Sequence, residues 1–153
     1  MTGRLMVIAT AVAMVGAAHF ADAGTPSQRS RAKLTGAAGV KGKLQYSQKG
    51  DRSKLSVGAQ GLTPGDYCVT VDGLAAGTLQ VINCNLASQC KVGIIADLNQ
   101  DTQFGVEDLA ADSCCLKGNR EPFSGVAVAA GQQIEVHAGG CSGAVVMSGV
   151  AAR

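Results

Sequence analysis

The chain reads as an all-β domain. We expect a disulfide-stapled antiparallel β-sandwich, Ig-like, of about eight short strands, with a small barrel as the runner-up. Three observations predict it. Short runs alternate apolar and polar residues with period two, and Gly, Pro and Asp punctuate them at short intervals. No segment beyond the N-terminus shows a helical period. All six cysteines lie between Cys68 and Cys141, downstream of a segment that reads as an export signal.

That segment has the expected parts in order. Arg4 supplies a positive start, Leu5 to Ala18 is apolar, and Ala21-Asp22-Ala23 has the small-x-small spacing of a signal-peptidase site. The apolar run is shorter than the roughly 20 residues that span a bilayer. Residues 1–23 therefore read as a signal peptide cut after Ala23. The protein is expected to be secreted or periplasmic, with no membrane span in the mature chain. Residues 24–30, polar and carrying Pro26, read as a flexible tail. Residues 31–153 read as one domain, with an irregular acidic insert over 97–124.

The strands follow from the alternation. Val40, Gly42, Leu44 and Tyr46 form one apolar row and Leu55, Val57 and Ala59 a second, with Gln48-Lys49-Gly50-Asp51 as turn chemistry between them. Gly61-Leu62-Thr63-Pro64-Gly65-Asp66 is a strong turn, because Pro fixes one dihedral and Gly tolerates the next. Tyr67, Val69 and Val71 then alternate with Cys68, Thr70 and Asp72. Asp72-Gly73 turns the chain, and Thr78 to Ile82 is a strand. Lys91 to Ala96, Val126 to Ala129, Gln133 to His137 and Ala144 to Val150 complete the set. With 21 Gly, no Trp, three Phe and two Tyr, the core is aliphatic and has little aromatic area to bury, so crosslinks matter more.

Six cysteines allow 15 pairings. Cys84 and Cys90 bracket a short loop between two strands, and a bridge there closes it, stabilising by roughly 2–2.5 kcal/mol. If Tyr67, Val69 and Val71 face the core, Cys68 points outward and needs a partner among Cys114, Cys115 and Cys141. Adjacent cysteines rarely bridge each other. Cys114 and Cys115 are therefore expected to take separate partners, Cys68 and Cys141, in an order left open. A redox or copper site on Cys114-Cys115 has Lys117 and Arg120 nearby, but no Cys-x-x-Cys and no neighbouring His.

Charge is unevenly placed. Residues 29–54 hold eight Lys or Arg against one acidic residue, Asp51, whereas residues 55–153 hold four basic against nine acidic. The basic stretch suits a polyanion such as a cell-surface polysaccharide. Tyr46 is the only aromatic within it, so a base-stacking surface specific for nucleic acid is not indicated.

The acidic insert carries the sharpest chemical pattern. Asp97, Asn99, Asp101 and Asp108 occupy positions 1, 3, 5 and 12 of a calcium-loop spacing, with the Gln103 carbonyl at position 7 and Phe104 at position 8. These 12 residues resemble the calcium loops of EF-hand and dockerin modules. That resemblance implies a structural calcium ion ordering the loop. Thr102 stands where those loops need Gly, no helix precedes Asp97, and no second copy follows.

Catalysis is not expected. His19 leaves with the signal, so His137 is the one histidine of the mature chain, too few for a multi-histidine zinc site. No Gly-x-Ser-x-Gly elbow presents a serine. His137 alternates with Glu135 and reads as an ordinary surface residue. Carboxylate pairs for a small hydrolase are available from Asp101, Glu107, Asp108 and Asp112, without an aromatic platform to hold a sugar.

Laid out as strands, several runs are similar to secreted bacterial β-sandwich modules of poorly defined role. They are Lys33-Leu34-Thr35-Gly36, Lys41-Gly42-Lys43-Leu44, Leu55-Ser56-Val57, Gly61-Leu62-Thr63-Pro64-Gly65-Asp66-Tyr67, Val71-Asp72-Gly73 with Gly77-Thr78-Leu79, Ile134-Glu135-Val136 and Val146-Met147-Ser148-Gly149-Val150. The resemblance implies fold and compartment, not activity. The expected role is a non-catalytic binding or structural module. The alternatives are a calcium-stabilised adhesion or carbohydrate-binding module and a small hydrolase using the acidic insert.

Overall fold

The computed structural model describes residues 27–84, 93–102, 119–122 and 124–153. Strands β1 (Ser27–Gly36), β2 (Lys41–Lys49) and β3 (Arg52–Gln60) form one meander. A second comprises β4 (Gly65–Val71), β5 (Leu74–Cys84) and β6 (Gly93–Asp101). After β7 (Asn119–Pro122), the hairpin of β8 (Gln133–Ala138) and β9 (Val145–Val150) ends the fold. The spatial order is β3-β2-β1-β9-β8-β4-β5-β6, and β6 returns to pair with β3. Eight antiparallel strands thus close into a barrel, with β7 parallel to the second half of β6, beyond the point where the β5 ladder ends.

The closed barrel corrects the expected sandwich. Alternation along a strand is the same in both architectures, since each hides one face. The difference lies in the ladder from Lys54–Gly58 to Asp97–Asp101, which leaves neither meander a free edge there. An eight-stranded barrel is just wide enough for side chains to fill. Here they do: the row Ala32, Leu44, Val57, Leu98 crosses four strands in register and is buried throughout. Glycine permits tight coiling where the wall is closest. A Cβ on Gly42 would meet the Gly58 carbonyl oxygen at 2.8 Å, and the Gln100 amide and Leu98 crowd the inner side of Gly77.

Three local expectations change and one holds. β1 begins at Ser27, inside the supposed tail, because it pairs with β2 over its length and the buried Ser30 hydroxyl donates to the Val128 carbonyl. The strand expected at Lys91–Ala96 runs on to Asp101, since β3 supplies a partner for residues 97–101 of the acidic insert. Val126–Ala129 is not a strand; Val128 is buried and its carbonyl is held by Gln28 and Ser30 instead of a ladder. Asp72 and Gly73 both have positive φ, making the two-residue turn their sequence indicated. The signal peptide, Gln103, Asp108, Cys90, Cys114 and Cys115 lie outside the described residues, so the Cys84–Cys90 bridge does too. No helix among the described residues is long and apolar enough to cross a membrane.

Candidate functional site

Period two places every basic residue of the first meander on the outside. Ser30, Ala32 and Leu34 of β1, Leu44 and Tyr46 of β2, and Ser53, Leu55 and Val57 of β3 point into the barrel. Arg29, Arg31, Lys33, Lys41, Lys43, Lys49, Arg52 and Lys54 therefore share the outer face. Register then sets their neighbours. Lys33 stands directly opposite Lys43, followed across the sheet by Gly58 and Asp97. Arg29 heads the row Ser47, Lys54, Asp101. Tyr46 points inward, so the one aromatic of the basic stretch is absent from this face.

The acidic pattern forms the border of that face. Asp97, Asn99 and Asp101 lie at alternate positions along β6, on its outer side, about 7 Å apart per step. Asp101 is only 2% exposed and holds two cations: Arg52 Nη2 donates to Oδ2 at 2.7 Å, and Lys54 Nζ lies 3.1 Å from the same oxygen. The hydrogen bond to Asp101 is the main cause that holds the Arg52 guanidinium above its ordinary pKa. This cluster clamps the β3–β6 seam that closes the barrel. Asp101→Asn keeps the shape but removes the charge; it is expected to lower the melting temperature by only a few degrees, because both cations are half-exposed and stay hydrated. A thermal melt beside wild type measures this.

A second polar patch lies on the outer face of β4 and β8. Cys68 and His137 are cross-strand neighbours, as are Thr70 and Glu135. Cys68 is bonded to Cys141 in the β8–β9 turn. This confirms the outward-facing Cys68 but overturns the expected pairing of Cys68 and Cys141 with Cys114 and Cys115, since the turn brings Cys141 back over β4. His137 is buried at 8% exposure, against the surface position expected of it. Its Nδ1–H donates to the Gly143 carbonyl at 3.0 Å, while Nε2 lies 3.2 Å from the Thr70 hydroxyl and 3.4 Å from Glu135 Oε2. Two β-bulges flank the pair, at Val69/Thr70 and Val136/His137. Thr70 is buried too, so the cluster fixes the turn rather than offering a nucleophile.

No family model matches the chain, and no curated protein matches it. The functional reading therefore rests on the faces themselves. Among the described residues, no three His, Cys, Asp or Glu side chains group to hold a metal ion. The sequence located the basic residues but not their shared face, which needed the register of three strands. Nothing local marked His137 for burial, because the turn that covers it is tied down by Cys68, 73 residues from Cys141.

Proposed function

We propose that this protein is an exported, non-catalytic binding module whose outer β1–β3 face takes a polyanion. One observation carries the reading: all eight basic residues of the first meander lie on one face, and among the described residues only Arg52 and Lys54 have a carboxylate partner. Lys33 opposite Lys43 is a repulsive cross-strand pair of roughly 0.5–1 kcal/mol. An anion laid across them converts that repulsion into attraction. The Cys68–Cys141 bridge fits the oxidising compartment to which residues 1–23 would direct the chain.

Heparin is a suitable probe. Lys33→Gln/Lys43→Gln is expected to weaken heparin binding about ten-fold, or ~1.4 kcal/mol, and to flatten its salt dependence. A control with the same change in net charge, Leu74→Glu/Gln133→Glu, alters two exposed positions on other strands and should lose no more than two- to three-fold. Equal losses in the two variants, or no heparin binding by wild type at physiological salt, would remove the assignment.

A further inference from the structure

We infer, on the basis of that reading, that the polyanion is an acidic polysaccharide lying lengthwise along β1, in a trough between β2 and the C-terminal strand. Two hollows flank β1 end to end. One, of about 450 Å³, is lined by Arg31, Lys33, Lys43, Gln45, Val150 and Ala152. The other, of about 800 Å³, is lined by Ser27, Gln28, Arg29, Ala129, Ala130 and Arg153. Arg31 and Ala152, which line the first, exchange backbone hydrogen bonds of 2.8 and 2.7 Å, and their chain neighbours Ser30 and Arg153 line the second.

The β1–β9 seam beside these hollows is thinly laddered, although Gly149 lets β9 approach the Lys33 carbonyl closely. Thr35 and Gly36 pair with Ser148 and Met147, and Arg31 with Ala152, but residues 32–34 have no pairing to β9. Along the floor, Arg29, Arg31 and Lys33 stand at every second residue, covering about 13 Å. Lys43 stands beside Lys33 on β2, and Arg153, next to the Ala152 that pairs with Arg31, lines the hollow on the other side of the row. The remaining cations fall outside: Arg52 and Lys54 serve Asp101, while Lys41 and Lys49 sit at opposite ends of β2.

The walls select the class of chain. Between the cations they offer hydroxyls, amides and small aliphatic groups from Ser27, Gln28, Gln45, Ala129, Ala152 and the exposed Val150. These suit a hydroxyl-rich, non-aromatic ring bearing a charge. Neither hollow contains an aromatic ring on which a base could stack, which disfavours single-stranded nucleic acid. The charged group, carboxylate or sulfate, is common chemistry to both kinds of acidic polysaccharide.

Calorimetric titration of the folded protein with oligogalacturonate, a heparin oligosaccharide of matched length and oligo-dT at one ionic strength tests this. The two saccharides are expected to bind at least ten-fold more tightly than oligo-dT, and the tighter of them names the charged group. Arg31→Gln/Lys33→Gln should lose at least ten-fold, and Lys41→Gln/Lys49→Gln, with the same charge change, less than three-fold. Equal losses in those two variants overturn the lengthwise seat while leaving the polyanion face intact. Oligo-dT binding as tightly as either saccharide overturns the polysaccharide class. No binding of any of the three overturns the underlying reading as well.

Discussion

Replacing Cys68 and Cys141 together with alanine will lower stability by about 4 kcal/mol. The bridge closes a loop of 73 residues, and the loop-entropy model gives that magnitude for so long a ring. It spans β4 through β8, so without it the unfolded chain regains most of the freedom of the second meander. The folded state also loses the tether that keeps the β8–β9 turn over His137 and Thr70. For a domain of this size the melting temperature should fall on the order of 10–20 °C. Urea denaturation of the double variant beside wild type measures it. A loss below about 1 kcal/mol would mean that the other elements already hold the turn in place. The basic face is on the opposite meander, so heparin binding by the folded double variant should be unchanged.

Leu98→Ala will cost about 3 kcal/mol. Leu98 is fully buried on β6, opposite Val57 across the seam that closes the barrel, and its side chain fills the space beside Gly77. Truncation leaves a cavity that β6 cannot collapse into, because it is hydrogen-bonded to β3 on one side and to β7 on the other at that position. Ile94, on the same strand, is 58% exposed, and Ile94→Ala should change stability by less than about 0.5 kcal/mol. The contrast between two aliphatic residues four positions apart is the informative measurement. Equal effects would argue that β6 is not the closing strand.

Much of the wall was legible in the chain. The rows Leu44/Tyr46, Leu55/Val57 and Val69/Val71 are inward because alternation gives a strand two chemically distinct faces, and one of them must leave water. The Asp72-Gly73 turn follows from residues that tolerate positive φ. β1 was harder, since Ala32 and Leu34 are its only buried apolar side chains and Ser30 enters the core through a single hydrogen bond to Val128. The continuation of β6 to Asp101 was masked by its polar composition. Asp97, Asn99 and Asp101 face outward, and Gln100 is tolerated inside because its amide donates to the Ala76 carbonyl at 2.8 Å.

The sequence by itself determined strand periodicity, most turns, the inward and outward faces, and the concentration of cations between Arg29 and Lys54. Each is a local property, fixed by side-chain chemistry over a few residues. Only the tertiary structure decided that β6 meets β3, that Cys68 meets Cys141, and that the cations of three strands form one face beside a thinly laddered seam. Those are pairings between residues far apart in the chain. Their energies depend on which surfaces remain available once every other strand has found a partner, and period-two alternation is the same whichever partner is chosen.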